Sequence, residues 1–389
     1  MIKKIGTILL FVTFLCFTSC IKRYFDEINF RVIPLDGGKS VGIVEVGLIS
    51  IGGTSLGVSQ TIHIPSRLHG KPVTALGGGI LQDHEIINVT IPGSVKTIGN
   101  GVFSENLLTS VTIPGSVKTM GKEAFARNEL TKVTIRKGLT AIEDRAFYKN
   151  KLVKVTIPNS VTTIGVEAFW DNQLVSVSIP KSVTTIGDWA FQSNKLTKIT
   201  IRNSVTEIGN GAFFDNQITS VIIPKNLTTI GAEAFAGNPL TNLSVAPENT
   251  AFTIRDFYLL NKDENQIVFY YGSEKDIVIP NNITVIGAGA FSKNQLTSVT
   301  IPNSVTSIEF RAFRENQLTS VTIPDTVTTI GDGAFFGNQI TSVTIGANVN
   351  VGKTSFDANN YSGFYYSYNN YFGRRAGTYI KRNGAWSRQ

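Results

Sequence analysis

The nine residues "NQLTSVTIP" occupy positions 294–302 and return unchanged at positions 316–324. Related versions stand earlier in the chain, including "NLLTSVTIP" from Asn106, "NKLVKVTIP" from Asn150 and "NQLVSVSIP" from Asn172. The asparagine that opens each copy recurs every 22 residues, at Asn106, Asn128, Asn150, Asn172, Asn194, Asn216 and Asn238, and again at Asn294, Asn316 and Asn338. A fixed period between about 20 and 50 residues is the signature of stacked units that share one continuous core. The pattern therefore predicts a solenoid.

One full unit, "NQLTSVTIPNSVTSIEFRAFRE" at 294–315, predicts the structure of a single coil. Val299 and Ile301 alternate with polar residues, which indicates a strand with one buried face, and Pro302 ends it because proline has no donor for the ladder. The segment "SVTSI" indicates a second extended stretch. "EFRAFRE" is too short for an independent helix, so we expect a turn that places Ala312 and Phe313 in the core. The recurrent asparagine is expected to hydrogen-bond from coil to coil.

The second half of the chain contains one coil that is longer than the rest. From the strand end at Ala246 to the next at Pro280 there are 34 residues, one period plus 12. The excess includes "FYLLNKDENQIVFYYG", two β-prone runs around a polar turn, which predicts a hairpin insert near 252–275. Strand ends from Pro65 to Gly346 indicate about thirteen coils of mostly 22 residues, which would form a curved parallel sheet.

The motifs "LTSVTIP", "SVTTIG" and "AF" resemble the BspA-like, or Treponema pallidum-type, leucine-rich repeats of bacterial surface proteins. The resemblance covers roughly residues 61–346, about three quarters of the chain. It implies a leucine-rich repeat solenoid and an adhesin-like role at the cell surface, where family members engage host matrix proteins or other bacteria. The family often has Cys where these units have Asn, so its thiols are absent here.

The first residues, "MIKKIGTILLFVTFLCFTSC", have the features of a secretory signal. Lys3 and Lys4 precede an apolar run that is too short to span a membrane comfortably. "FTSC" resembles a relaxed bacterial lipobox, which implies a lipoprotein signal peptide at 1–19 and lipid attachment at Cys20. The other cysteine, Cys16, would leave with the signal, and acylation would account for the one thiol that remains. An ordinary signal peptide with an incidental cysteine is the alternative.

The net charge of +8 is unevenly distributed along the chain. Basic residues outnumber acidic ones between 118 and 154, where they are Lys118, Lys122, Arg127, Lys132, Arg136, Lys137, Arg145, Lys149, Lys151 and Lys154. A second cluster near the C-terminus consists of Arg374, Arg375, Lys381, Arg382 and Arg388. Such clusters either keep a surface solvated or bind an anionic partner.

The predicted sheet leaves two rows of outward side chains in solvent, one rich in Thr and the other rich in Ser. Thr suits an exposed strand face through its β-propensity alone. Lysines interrupt the Ser row, and arginines replace proline at two strand ends. These residues predict an anion-binding stripe made of Lys132, Arg136, Lys154, Lys198 and Arg202. An ordinary solvated surface is the alternative.

The sequence lacks recognisable catalytic and metal-binding motifs. His63, His69 and His84 have no close ligand spacing such as HExxH, and there is neither a P-loop nor a GxSxG elbow with a triad. The carboxylates fall mostly in the turns around the Ala-Phe pair, where we expect a solvated rim without a defined acid and base. We therefore expect no enzymatic activity, no cofactor and no metal site.

The sequence divides into a signal peptide at 1–19, a linker and cap at 20–60, the solenoid at 61–346 and a β-rich module at 347–389. Binding is the expected function, because repeated coils provide a long surface on which many weak contacts add. The expected partners are an extracellular protein or anionic glycan, and the membrane through the N-terminal lipid; no nucleic acid is expected. The expected location is the bacterial outer membrane, facing outwards. A periplasmic or envelope scaffold without a host ligand is the alternative.

Overall fold

The computed structural model describes residues 30–46, 60–356 and 363–389. The predicted signal peptide, Cys16 and Cys20 lie outside the described residues, as does much of the predicted linker and cap. The chain divides into two compact units, Met1–Ser160 and Val161–Gln389. Both are built from β-strand coils with almost no helix.

The first unit begins with an antiparallel pair of strands joined by a turn at Asp36–Gly38. The second of these strands pairs in parallel with the sheet that follows. In chain order the strands are β1 (Phe30–Leu35), β2 (Ser40–Val46), β3 (Gln60–His63), β4 (Arg67–Leu68), β5 (Lys71–Leu76), β6 (Ile86–Thr90), β7 (Thr97–Ile98), β8 (Ser110–Ile113), β9 (Thr119–Met120), β10 (Lys132–Ile135), β11 (Ala141–Ile142) and β12 (Lys154–Thr156).

Each regular coil contributes one strand to each of two sheets. The front strand is the "SVTI" segment of β8 or its equivalent, such as "KVTI" in β10, and the back strand is a two-residue segment, as in β7 and β9. Successive coils pair in parallel and in register, for example Val133 with Val111 at the front and Ile98 with Met120 at the back. The predicted solenoid with parallel sheets is therefore confirmed.

The second unit continues the same pattern and ends in an antiparallel hairpin that pairs with the last front strand. A short helix, α1 (Phe364–Tyr366), continues as a π-helical turn at Ser367–Tyr371 before that hairpin. The strands are β13 (Thr163–Ile164), β14 (Ser176–Ser178), β15 (Thr185–Ile186), β16 (Lys198–Thr200), β17 (Glu207–Ile208), β18 (Ser220–Ile223), β19 (Thr229–Ile230), β20 (Asn242–Val245), β21 (Phe252–Arg255), β22 (Tyr258–Asn261), β23 (Gln266–Tyr270), β24 (Asp276–Val278), β25 (Val285–Ile286), β26 (Ser298–Thr300), β27 (Ser307–Ile308), β28 (Ser320–Thr322), β29 (Thr329–Ile330), β30 (Ser342–Ile345), β31 (Asn350–Val351), β32 (Gly377–Arg382) and β33 (Ala385–Arg388).

The core lies between the front and back strands and is closed by the Ala-Phe turns. In β8 and β10 exposed and buried residues alternate, as the sequence pattern predicted. Ala312 and Phe313 are fully buried, which confirms their predicted place in the core. The phenylalanine rings stack from coil to coil, with ring centroids 5.0 Å apart for Phe291 and Phe313 and 5.1 Å apart for Phe313 and Phe335. Stacked aromatic rings add to the stability that burial of their surface provides.

The recurrent asparagines satisfy backbone groups of the turns, as expected from the sequence. Asn128 is buried, and its Oδ1 accepts a hydrogen bond from the Leu108 amide at 3.1 Å. Its Nδ2 donates to the carbonyl oxygens of Phe103, Phe125 and Ala126 at 2.7, 3.3 and 3.2 Å. These bonds reach both its own turn and that of the preceding coil, so the side chain replaces water in a buried corner.

The long coil widens the back sheet of the second unit. β21, β22 and β23 form an antiparallel meander, and β23 then pairs in parallel with β25. The two β-prone runs seen in the sequence are β22 and β23, whereas β21 was not predicted. Glu264, in the β22–β23 turn, forms an ion pair with Arg255 at the end of β21. The hydrogen bond from Arg255 lowers the pKa of the Glu264 carboxyl. The insert is thus part of the sheet rather than a projecting hairpin.

Glu233 joins the turns on either side of this insert. Its side chain is only 5% exposed. Its Oε2 lies 3.0 Å from Arg311 Nη1, and its Oε1 lies 3.1 Å from Arg314 Nη1. Ser292, 59 residues further along the chain, donates its hydroxyl to Glu233 Oε1 at 2.6 Å. A Cβ at Gly289 would lie 2.6 Å from the Glu233 nitrogen, so glycine is required for this close approach. The turns are therefore adjacent although a meander separates them in sequence.

Lys293, in the same turn as Ser292, reaches one coil further back, to Asp215 in the turn that precedes that of Glu233. Its Nζ lies 2.7 Å from Asp215 Oδ1 and 4.5 Å from the centroid of the Phe214 ring. Gly237 stands between them, and a Cβ there would lie 2.2 Å from Asp215 Oδ1. A side chain at residue 237 would thus displace the carboxylate. Glycine at this position leaves room for the long lysine side chain to reach Asp215.

Candidate binding surface

The outward side of the front strands in the first unit is a regular ladder of exposed side chains. In β8, β10 and β12 the outward residues are exposed and the residues between them are buried. One outward row consists of Thr112, Thr134 and Thr156. Neighbouring strands lie about 4.8 Å apart, which sets the spacing of this ladder. The buried residues between the outward ones anchor each strand in the core.

Lys132 and Lys154 occupy the same position on neighbouring strands of this ladder. They are register partners in β10 and β12, and Ser110 is the partner of Lys132 on its other side. Both lysines are exposed, and within the described chain neither side chain has a hydrogen bond or ion pair. Their stems leave the sheet about 5 Å apart. No carboxylate therefore offsets the repulsion between the two ammonium groups.

Most other basic residues between 118 and 154 have partners. Lys149 lies over the Tyr148 ring at 5.4 Å from its centroid, and Lys118 donates to the Gly115 carbonyl at 3.4 Å. The ion pairs are Lys122 with Asp144 (2.8 Å), Arg127 with Glu105 (3.3 Å), Arg145 with Glu123 (3.3 Å), and Lys151 with Glu129. The carboxylates of this rim are partly exposed and form ion pairs between coils, each of which contributes little to stability because it is exposed.

Two further cations follow the end of β10. Arg136 stands where most coils have proline, and Lys137 comes directly after it. Both are exposed, and neither side chain has a partner among the described residues. Lys137 was not among the predicted stripe residues, although the replacement of a Pro-Gly or Pro-Asn pair by Arg-Lys was a usable signal. We define Lys132, Arg136, Lys137 and Lys154 as the basic face.

The other two predicted stripe residues, Lys198 and Arg202, belong to the second unit. Lys198 is exposed in β16, and its register partner in β14 is Ser176. Arg202 is exposed beyond the end of β16. Neither side chain has a partner in the described part of this unit. The structure thus brings Lys132, Arg136 and Lys154 together in one unit and places Lys198 and Arg202 in the other.

The front strands of the second unit also carry two strongly exposed apolar side chains. Ile222 in β18 is 65% exposed, and Val278 in β24 is 70% exposed. Their register partners are the polar residues Ser244 and Thr300. Val278 was not singled out from the sequence, because the run "DIVIP" conceals the alternation. Single exposed apolar residues are common on protein surfaces, and these two assign no partner.

The described residues contain no group of three or more His, Cys, Asp or Glu side chains arranged to hold a metal ion. His84 Nδ1 contacts the Gln82 carbonyl.

In the second unit, a groove of about 460 Å³ is lined in part by Glu309, Phe310 and Asp332. Glu309 Oε2 there accepts a hydrogen bond from the Ala288 amide at 3.0 Å, which engages one carboxylate of the groove. The groove lining contains no His, Cys or Lys.

None of the helices in residues 30–46, 60–356 and 363–389 has the length and apolar character needed to cross a membrane.

Comparison with solved structures finds similarity to bacterial proteins. A leucine rich cell surface protein from Faecalibacterium prausnitzii A2-165 has 20% identity and a TM-score of 0.52, covering 83% of this chain and 88% of that chain. The pneumococcal vaccine antigen PcpA has 21% identity and a TM-score of 0.47, covering 84% of each chain. A leucine-rich repeat protein from Eubacterium ventriosum ATCC 27560 has 21% identity and a TM-score of 0.43, covering 81% of this chain and 94% of that chain.

Sequence comparison identifies the family. No curated protein matches this chain significantly. The family described as "BspA type Leucine rich repeat region (6 copies)" matches residues 51–153, 140–261 and 265–376, which is well over half of the chain. The match includes the front and back strands, the Ala-Phe turns and the insert. The chain belongs to the BspA-type leucine-rich repeat family.

Proposed function

We propose that this protein is a lipid-anchored, adhesin-like binding protein of the bacterial cell surface. Its partner would be an extracellular protein or glycan with anionic groups that contact the basic face. The observation that carries the proposal is the in-register pair Lys132 and Lys154, exposed and without a partner on adjacent strands. Family membership and the fold shared with a leucine rich cell surface protein support the surface location.

The geometry favours an anionic partner for a physical reason. Lys132 and Lys154 repel each other at a spacing of about 5 Å. An anion placed between them would remove that repulsion, whereas neighbouring cations already have carboxylates at hand. Since the strands are held in register by buried residues, binding would require little ordering of the backbone. Lys198 and Arg202 are proposed to contact anionic groups in the second unit, so that several weak contacts add.

The proposal is tested by heparin-affinity chromatography of the double variant Lys132→Ser and Lys154→Ser. Serine suits these positions because Ser110 occupies the equivalent one in β8. We expect the variant to elute at lower salt than wild type, because it lacks two cations that contact the heparin. Salt weakens such contacts, since exposed charges act only over a screening length of about 8 to 10 Å near physiological ionic strength. A Lys198→Ser variant tests the second unit in the same way.

The matched control is the double variant Lys122→Ser and Lys151→Ser, which removes the same charge from paired lysines of the same region. It should elute close to wild type. Equal shifts of the two double variants would show that only net charge matters. Elution of the Lys132 and Lys154 variant with wild type would show an ordinary solvated surface.

The surface location is tested by proteolysis of intact cells. Cleavage of the protein without permeabilisation of the outer membrane is the expected result. Protection until the membrane is permeabilised would favour an envelope scaffold that never meets an external ligand.

A further inference from the structure

The described C-terminal module, residues 363–389, has basic side chains but no acidic ones. No Asp or Glu occurs in it, and its charged residues are Arg374, Arg375, Lys381, Arg382 and Arg388. Within the described chain, none of the four arginines forms an ion pair with a carboxylate. The module therefore differs from the region around Lys122, where carboxylates of neighbouring coils neutralise most cations.

Two of these arginines, Arg374 and Arg375, belong to the exposed loop between the π-helical turn and β32, and Arg388 hydrogen-bonds to the backbone of that loop. Arg374 Nε donates to Asn369 Oδ1 at 2.6 Å. Arg388, at the end of β33, folds back so that its Nε and Nη2 donate to the Ala376 carbonyl at 2.9 and 2.6 Å. Arg375 lies between them in the chain, is exposed, and has no side-chain partner among the described residues.

Tyr379 lies beneath this loop and close to two of the arginines. Its hydroxyl donates to the Arg375 carbonyl. Burial raises the pKa of Tyr379, as does the neighbouring Tyr368, and the charges of Arg388 and Arg375 both oppose that shift. The loop also approaches Arg388 closely, since a Cβ at Gly377 would lie 2.8 Å from Arg388 Nε.

We propose that Arg374, Arg375 and Arg388 form a binding site for a tetrahedral oxyanion, the phosphate or sulfate group of an ester. The guanidinium group presents several N–H donors in a planar fork that matches such oxygens. Arg374 and Arg388 are oriented in advance by neutral acceptors, so they keep their full charge and lose little side-chain entropy on binding. This site is separate in sequence from the basic face, and its test does not depend on that face.

The direct test is an NMR titration of the full chain with sodium sulfate and with sodium phosphate, following the arginine Nε–H signals. We expect saturable shifts of the Arg374 and Arg388 signals. Arg375→Gln should weaken this binding about tenfold, the effect of one hydrogen bond to a charged group. Arg388→Lys should weaken it too, because lysine keeps the charge but lacks the planar fork.

Arg382→Gln is the matched control. It removes the same charge from an exposed arginine without a described side-chain partner, at the other end of the β32–β33 hairpin, about 17 Å away by the rise of a strand. Affinity should be unchanged in this variant. Equal weakening by Arg382→Gln and Arg375→Gln, or shifts that do not saturate, would overturn the proposal and leave only structural hydrogen bonds at Arg374 and Arg388.

The source of the ester group is distinguished with two further probes, phosphatidylglycerol vesicles and sulfated dextran. Binding of either probe that Arg375→Gln reduces and Arg382→Gln does not would identify a lipid phosphate or a polysaccharide sulfate. Failure of both probes to bind would overturn the assignment to an ester ligand.

Discussion

The asparagine at each coil junction acts at the scale of a single residue. Asn316 is buried, and its Oδ1 accepts from the amides of Asn294 and Leu296 at 3.1 and 2.9 Å. Its Nδ2 donates to the carbonyl oxygens of Phe291, Phe313 and Arg314 at 2.7, 3.0 and 3.3 Å. No other side chain of similar size offers an acceptor and a two-proton donor in this arrangement.

Asn316→Asp tests this role, because the substitution preserves shape and replaces the donor with an acceptor. A carboxylate would then face three carbonyl oxygens in a buried site, which we expect to cost about 3 kcal/mol or more in free energy of unfolding. Chemical denaturation at neutral pH measures this loss. Burial should raise the pKa of the introduced carboxyl in the folded state, so the loss should diminish as the pH falls and the group becomes protonated.

Asn303→Asp is the control for this experiment. Asn303 lies in the coil that precedes Asn316 and is exposed. Its substitution should change stability by less than about 0.5 kcal/mol, as expected for a surface site. Similar losses for both variants would contradict the role assigned to the buried amide.

The insert shows how one irregular element is accommodated among regular ones. The meander β21–β22–β23 adds strands to the back sheet, while the turns that contain Glu233 and Ser292 remain in direct contact. Charged side chains join these turns, and glycine at 237 and 289 leaves space for them. The back sheet therefore contains extra strands, while the contact between these turns keeps the core closed to solvent on that side.

Glu233→Gln tests the contribution of this cluster. Glu233 is almost fully buried and pairs with Arg311 and Arg314. Neutralising it leaves Arg311 without a carboxylate and leaves Arg314 with Glu315 alone. We expect a loss of about 3 to 5 kcal/mol in unfolding free energy, as for other buried pairs that lose one partner. Glu264→Gln is the control, because it breaks an exposed pair with Arg255 and should cost less than about 1 kcal/mol. If urea denaturation gives equal losses of unfolding free energy for the two variants, the buried cluster contributes no more to stability than an exposed ion pair.

At the scale of the whole molecule, a repeat protein gains its stability from contacts between neighbouring coils. The chain has two cysteines in all, Cys16 and Cys20, both of which precede the repeats, so no disulfide can cross-link the coils. The N-terminal anchor remains a prediction, because Cys20 lies outside the described residues. Its chemistry follows from the lipobox-like "FTSC" and would hold the protein at a membrane surface.

Cys20→Ala should release the protein from membranes into the soluble fraction, whereas Cys16→Ala should leave it membrane-bound. Detergent phase partitioning of the two variants measures the difference. The same partitioning for both variants would contradict lipid attachment at Cys20.

The candidate binding surface was only partly predictable from the sequence. Period-2 alternation identified Lys132 and Lys154 as outward residues, and the 22-residue period placed them on adjacent strands. The sequence did not reveal which cations have partners, because Lys122 and Lys151 meet their carboxylates only when one coil stacks on another. The sequence identified the C-terminal basic cluster but not that Arg388 reaches the loop of Arg374 and Arg375, since it does so only through the β32–β33 hairpin.

The sequence by itself determined the solenoid, the register of its strands and the residues of its core. A repeat carries this information locally, because each coil contacts the next at equivalent positions and the same apolar letters recur at the same places. Only the tertiary structure decided how the insert joins the back sheet, that Glu233 bridges turns 59 residues apart, and which basic residues remain unpaired. These features depend on contacts between segments outside the repeat period or on the stacking of long side chains, and no periodic pattern in the sequence encodes either of them.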